Sequence, residues 1–415
     1  MSKQATIPEL LFPTWWKNWL SKLIHLPVPW WGDCFALWLT VLLILSGVGL
    51  WSTRVLEPGE GIPPNLGVAA DSIPGIWARW DSSYYLTVAT NGYQNALEEH
   101  TLGFFPLYPL LINGLAHLTH LKPAVAGMVI AQFSYLVAIL LFYKVARLIR
   151  DDHQYAMRCT LFLVLFPTSF FYLAIYAESL YLALAILTVY LLLRPRPRFI
   201  LSGITCGLAS LARPVGWLFN LVTLVEWSRG RLFRWRTLLI VGVALSLSVV
   251  GVVLYVIYAY TLTGSWLAIP ETQALWQRQW QLPWQTYGQS IAYALWGNGI
   301  ANDWFLYAIN WVDLCFTTLA IGLTIAAAWQ AYRHKSFPWS LVVYLTISIL
   351  FLLAQRGPDV VPLWGMARWV GALFPLYLVL GNTIHNKTIQ VLSLLASGGL
   401  LIVATLWWTS GRWVG

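Results

Sequence analysis

This chain predicts an all-α, polytopic membrane protein, and three observations support that fold class. Of its 415 residues, 59% are apolar and only 10% charged, whereas soluble domains carry about 25% charged residues. Apolar runs long enough for a helix to cross the ~30 Å hydrocarbon core recur along its length. The basic residues cluster in every second connection between those runs. The same figures exclude a disordered chain, a collagen-like repeat and a disulfide scaffold. The period-two alternation of a membrane β-barrel does not appear.

Taken in chain order, the expected spans are residues 34–52, 124–146, 158–175, 178–193, 199–213, 215–228, 237–262, 304–331, 338–354, 368–382 and 390–409, about eleven in all. Lys3, Lys17 and Lys22 precede the first run, which reads as an anchor and not as a cleaved signal. Further along, Lys144, Arg147, Arg150 and Arg158 follow the second run, and Arg194, Arg196 and Arg198 the fourth. Arg229, Arg231, Arg234 and Arg236 come next, then Arg333 and Lys335, then Lys387, so that 17 of 25 Lys and Arg lie on one side. The positive-inside rule makes that side cytoplasmic, with the N-terminus in and the C-terminus out. The net charge of +9 is then topological and needs no nucleic-acid partner. Residues 104–121, a short run with Pro106 and Pro109 near its start, are read as a helix at or dipping into the outer leaflet. Counting them as a crossing would put the Lys144–Arg158 group outside; a full crossing with a local breach of the charge rule is the alternative.

The chain reads as one domain, 1–415, with non-cytoplasmic loops at 53–123, 263–303 and 355–367. Ten of the sixteen acidic residues fall on that outer side: Glu57, Glu60, Asp71, Asp81, Glu98, Glu99, Glu178, Glu271, Asp303 and Asp359. No transporter-like internal repeat is visible, so chemistry outside the cytoplasm is the simpler reading. Cys34, Cys159, Cys206 and Cys315 are scattered without CxxC or Cys/His spacing and read mostly as small core residues. A divalent metal would need several carboxylates to converge, as Asp81 with Glu98 or Glu99 could if the loop folded back. No metal or cofactor is expected.

The densest chemical cluster is Trp77-Ala78-Arg79-Trp80-Asp81-Ser82-Ser83-Tyr84-Tyr85, followed by Asn91-Gly92-Tyr93 and by Glu98-Glu99-His100-Thr101-Leu102-Gly103-Phe104-Phe105-Pro106-Leu107-Tyr108-Pro109. A carboxylate walled by aromatics near a membrane interface is partly desolvated and can be tuned towards general-base work. On the residues alone, Asp81 equally fits a helix N-cap within an aromatic belt.

This run resembles the first-loop motif of the PIG-V family, the GPI mannosyltransferase II group and its bacterial relatives. Other matches follow in order: Pro167-Thr168-Ser169-Phe170-Phe171 with Tyr176-Ala177-Glu178-Ser179-Leu180; Ala212-Arg213-Pro214-Val215-Gly216; Gln273-Ala274-Leu275-Trp276-Gln277-Arg278; and Met366-Ala367-Arg368-Trp369 with Phe374-Pro375. Trp369 stands where the family more often has Tyr, and Gly103 where it has Ala; the first 30 residues and the last span carry no family pattern. The resemblance implies a GT-C glycosyltransferase with a helical-bundle fold. Such an enzyme moves a sugar from a polyprenyl-phosphate donor to an acceptor hydroxyl outside the cytoplasm, with inversion. One displacement needs a base on the acceptor side and charge stabilisation on the leaving phosphate.

By place in the motif Asp81 is the expected base, and Arg213, Arg278 and Arg368 the expected phosphate holders, since guanidinium forks match phosphate oxygens. Snorkelling to outer headgroups is the alternative for the arginines. Arg79, Trp80, Tyr84, Tyr85, Glu99, His100, Tyr108, Glu178, Gln273 and Trp276 complete the expected sugar and acceptor side. Phe105 joins these aromatics as a residue that could stack on sugar or isoprene. Glu178 could hydrogen-bond a sugar hydroxyl, pair with Arg213 or simply complement a helix start, and Glu99 could be a solvated loop carboxylate. Mannose as the sugar rests on the resemblance alone, and the acceptor, a lipid, glycan or protein, is left open. A bacterial inner-membrane location is expected, with an ER protein using dolichol as the variant. Competing readings are a GT-C enzyme with another lipid-linked sugar and a lipid-linked sugar flippase or exporter.

Overall fold

The computed structural model describes residues 29–63, 67–94, 100–229, 235–297 and 304–414. In chain order its first eight main helices are α1 (Trp30–Val55), α2 (Ser82–Asn91), α3 (Leu107–Thr119), α4 (Pro123–Ile149), α5 (His153–Val164), α6 (Glu178–Leu193), α7 (Phe199–Ala212) and α8 (Phe219–Arg229). Then come α9 (Trp235–Thr263), α10 (Ala268–Leu275), α11 (Pro283–Trp296), α12 (Trp304–Trp329), α13 (Trp339–Leu353), α14 (Met366–Gly371), α15 (Pro375–Thr383) and α16 (Lys387–Thr409). Two dipeptide strands, β1 (Gln279–Trp280) and β2 (Gln355–Arg356), pair antiparallel with Gln279 opposite Arg356.

Local chemistry sets these boundaries. Proline, whose fixed φ suits a first turn and whose missing N–H costs nothing there, opens α4, α11 and α15. Asp152 caps α5 by accepting from the Gln154 N–H, and Asn386 caps α16 by accepting from Thr388 and Ile389. Among the described residues, five helices are long and apolar enough to cross a membrane: α1, α4, α9, α16, and α12 with the π turn that extends it to His334. Three shorter apolar helices, α6, α7 and α13, fill the interior. α4 packs on α6, α6 on α7 and α7 on α9. Gly203 and Gly207 let α7 meet the α9 backbone, because a Cβ on either would come within 2.6 Å of the Ala244 or Leu247 carbonyl oxygen. The opposite faces of α1, α9 and α16 present Leu43, Leu254 and Leu395, each over 60% exposed, as a lipid-facing surface does.

Two expected spans are broken. Residues 158–175 form no single helix: α5 stops at Val164 and a 3₁₀ turn occupies Ser169–Tyr172 before α6 begins at Glu178. Pro167 removes a donor and disfavours helix in the residue before it. The irregular backbone between these helices is enclosed by protein, with every residue from Phe166 to Ser179 buried, which is the condition under which non-helical backbone persists at membrane depth. Residues 368–382 are likewise divided into α14 and α15, with Pro375 starting the second piece. The two breaks meet: Thr168 donates to the Ala367 carbonyl at 3.3 Å and Tyr172 to the Gly371 carbonyl at 2.8 Å. Within 104–121 the helix is α3, whose thirteen residues reach ~20 Å, short of the hydrocarbon core. Cys34, Cys159 and Cys206 are buried, but Cys315 is exposed on α12.

Candidate active site

The broken segments bring four charges into line. Asp81 stands at the N-cap of α2, yet its carboxylate caps no backbone N–H. Its Oδ2 accepts instead from Arg368 Nη1 at 2.7 Å. Arg368 sits on the short helix α14, and its Nε also donates to Glu178 Oε1 at 2.5 Å, with Nη2 against the same oxygen. Glu178, the first residue of α6, accepts from Arg213 Nη1 at 2.8 Å. Glu178 and Arg213 are both buried, whereas 19% of the Asp81 side chain remains open. The row thus runs from an accessible carboxylate inward through two guanidinium groups sharing a buried one. Glu178 also stands at the positive end of the α6 dipole, where a carboxylate is favourably placed.

Arg278 completes the basic side. It follows α10, leads directly into β1, and donates to the Trp364 carbonyl at 3.4 Å. The β1–β2 pair joins this loop to the one that leads to Arg368. Trp369 lies between the arginines, its ring 4.1 Å from the Arg213 guanidinium carbon and 5.9 Å from that of Arg278. Burial, and after it the neighbouring charge of Arg368, lower the Arg278 pKa to about 10. Among the described residues no carboxylate forms a salt bridge with it, which leaves it open to an anion.

The backbone around Asp81 is fixed from several directions. Its N–H donates to the Tyr176 hydroxyl at 3.0 Å. Trp80, just before it, adopts φ 48°, an uncommon left-handed conformation for a bulky residue. The Trp80 N–H donates to the Gly61 carbonyl, and its ring covers Gly61 so closely that a Cβ there would overlap it. Gly59 and Gly61 in turn donate to the Ser410 and Gly411 carbonyls. Trp413 lies edge-on to Trp80 at 5.3 Å and stacks on Trp364 at 5.9 Å, tying the Asp81 loop to the Arg368 loop.

An aromatic wall borders the outer side. Tyr84 stacks on Phe104 and meets Trp276 edge-on, and His100 also meets Trp276 edge-on. Gln273 approaches Gly103 so closely that a Cβ there would stand 2.9 Å from its amide nitrogen, which a glycine at this position permits.

Three expected site residues are placed elsewhere. Arg79 is fully buried, and its guanidinium is spent on the Gly75, Ala70 and Thr409 carbonyls, clamping the first loop to the end of α16. Tyr108 is fully buried and donates to the Gly127 carbonyl, and Tyr85 packs between Phe104, Tyr108 and Tyr176. Both belong to the core beneath the site. Phe105 packs on Tyr255 in a separate apolar cluster. Glu98 and Glu99 lie outside the described residues. Among those described, no three His, Cys, Asp or Glu side chains converge as a metal site would require.

Two residues that sequence reasoning passed over matter here. Asp313 is a fully buried acid within α12, accepting from the Gly365 N–H at 3.1 Å and the Ala367 N–H at 2.7 Å, so it seats the start of α14 and hence Arg368. An ionisable residue inside an apolar run is itself a signal. Trp413 lies beyond any recognised motif, and its partners Trp80 and Trp364 sit in other segments of the chain.

Residues 67–345 match the family model described as Mannosyltransferase (PIG-V). GPI mannosyltransferase 2 of Drosophila pseudoobscura pseudoobscura is 29% identical over 119 residues, covering 26% of this chain and 25% of that protein. ArnT from Cupriavidus metallidurans bound to undecaprenyl phosphate aligns with a TM-score of 0.49 and 14% identity, over 86% of this chain and 62% of that one. The apo oligosaccharyltransferase of Archaeoglobus fulgidus gives 0.47 and 13%, over 90% and 56%. The match thus covers a quarter of the curated relative's length and under two thirds of either solved chain.

Proposed function

The chain belongs to the Mannosyltransferase (PIG-V) family, and we propose that it is an inverting glycosyltransferase that moves mannose from a polyprenyl-phosphate donor to an acceptor hydroxyl. The observation that carries this reading is the row Asp81–Arg368–Glu178–Arg213, with Arg278 across Trp369. It provides a single accessible carboxylate beside a set of guanidinium groups, which is what one in-line displacement at a sugar phosphate requires.

Asp81 takes the proton of the attacking hydroxyl as the bond to the anomeric carbon forms. Its ion pair with Arg368 holds the carboxylate oriented until then. The bond from the anomeric carbon to the phosphate oxygen breaks on the opposite face, and the negative charge left on the polyprenyl phosphate falls to Arg278 and Arg213. Glu178 never meets the sugar; it keeps Arg368 and Arg213 from repelling each other. Tyr84, Trp276, His100 and Gln273 border the opening where the acceptor enters.

The basic-loop pattern supports an opening on the non-cytoplasmic side, and a bacterial inner membrane is the location this reading takes. The purified protein is to be given polyprenyl-phosphate mannose and a lipid extract, with polyprenyl-phosphate glucose in parallel. Release of polyprenyl phosphate from the mannosyl donor alone is the expected result. Release from the glucosyl donor alone would reject mannose as the sugar, and release from neither, with folded protein, would reject the lipid-phosphate donor.

A further inference from the structure

A cavity of about 380 Å³ opens at the other end of the bundle, where α12 ends and α15 turns into α16. Its polar lining comes from Gln330, His334, Ser336, Asn382, Thr383 and His385. Asp313, which seats the Arg368 helix, and His334 lie on one continuous run, Trp304–His334. At ~1.5 Å per residue the cavity is roughly 30 Å from the Arg368 side, about the thickness of the hydrocarbon core. Trp329 and Tyr332, 56% and 73% exposed on the same turn, sit as interfacial aromatics do.

The site is built. Gln330 is 5% exposed, donates to the Thr383 hydroxyl at 3.0 Å and accepts from Asn382 Nδ2 at 3.0 Å, which locks the inner wall and leaves Asn382 its second N–H. The π turn Gln330–His334 closes on Lys335, whose N–H donates to the Gln330 carbonyl. His334 meets Trp329 edge-on at 4.7 Å. Among the described residues no carboxylate lines the cavity. The segments that form it carry Arg333, Lys335 and Lys387 and hence a positive potential. A pocket of hydrogen-bond donors under a positive field, at headgroup depth, calls for an anion larger than chloride.

We propose that this cavity binds a phosphate-bearing group at the membrane face opposite Asp81, with the headgroup of an anionic phospholipid as its natural size and depth. Such a lipid would pin the end of α12 against α15, the helix that continues from the Arg368 segment.

The full protein, in a neutral detergent, is to be mixed with phosphatidylglycerol or phosphatidylcholine micelles, and retained lipid counted by native mass spectrometry. Retention of phosphatidylglycerol about tenfold above phosphatidylcholine is expected, the effect of one or two charge-assisted hydrogen bonds. The double variant His334→Ala/His385→Ala removes two exposed side chains, so its melting temperature should hold while that preference disappears. A parallel arm adds millimolar inorganic phosphate. Displacement of the lipid assigns the pocket to soluble phosphate compounds as well, and persistence assigns it to the lipid headgroup. Equal retention of the two lipids with no binding of labelled phosphate, or an unchanged preference in the double variant, overturns the proposal.

Discussion

The helices that face lipid and the segments that carry Asp81, Glu178 and Arg368 solve opposite problems. α1, α9 and α16 are long and continuous and expose leucines; their few polar contacts, such as Ser52 with Thr409 and Tyr255 with the Leu102 carbonyl, are made towards protein. The two broken segments do the reverse. They give up helix at Pro167 and before Pro375, bury the loosened backbone in protein, and hydrogen-bond to each other through Thr168 and Tyr172. The gain is placement: the start of α6 and the short helix α14 deliver Glu178 and Arg368 to one point. Charge at membrane depth is tolerated where protein encloses it, in the broken segments and at Asp313 on α12, while the lipid-facing surfaces of α1, α9 and α16 present leucines instead.

Removing Glu178 should break this contrast most severely. Glu178→Ala leaves Arg368 and Arg213 buried with their shared counter-charge gone, at a cost of about 3–5 kcal/mol. The check is a large drop in melting temperature in detergent, against little change for Leu395→Ala on the lipid face.

Trp413 sharpens the contrast at intermediate size. Trp413→Ala loosens the contact between the Asp81 and Arg368 loops without touching either charge. It should lower kcat about tenfold, or ~1.4 kcal/mol in the barrier, with KM nearly unchanged. Trp413→Phe, which keeps an aromatic ring against Trp80 and Trp364, should restore most of it.

The smallest effect on stability belongs to Arg278. Its folded-state pKa is depressed, so its charged form is disfavoured by folding and carries a penalty that is fully present at neutral pH. That penalty is relieved only as pH rises through about 10 towards the ordinary arginine range. Arg278→Gln should therefore melt no lower than wild type at pH 7, and wild type should gain on it above pH 10. Thermal melts across pH check this.

Much of this was legible in the chain. The apolar runs located most helices, and the ordered motifs picked out Asp81, Arg213, Arg278, Arg368 and Glu178, which the fold gathers around one row of ion pairs and Trp369. The pairing of Glu178 with Arg213 was among the expectations because both lie at one end of adjacent runs. The breaks in 158–175 and 368–382 were harder to see, since hydropathy counts apolar residues and is blind to whether their backbone is helical. Arg79 was expected on the sugar and acceptor side; the fold pairs it with the carbonyls of Gly75, Ala70 and the distant Thr409, contacts that the motif does not reveal. Asp313 did carry a local signal, an acid inside an apolar run, but its seat on the Arg368 segment and the ring contacts of Trp413 join separate segments, which no local pattern encodes.

The most direct test of the central claim, that an arginine-held Asp81 is the base, is turnover by wild type and Asp81→Asn with donor binding followed in parallel. The amide is nearly isosteric and leaves Arg368 its bond to Glu178. Turnover should fall about 100- to 10,000-fold, the range of general-base catalysis, while donor affinity stays close to wild type. Turnover within a few-fold of wild type, from a folded and donor-binding variant, would contradict it.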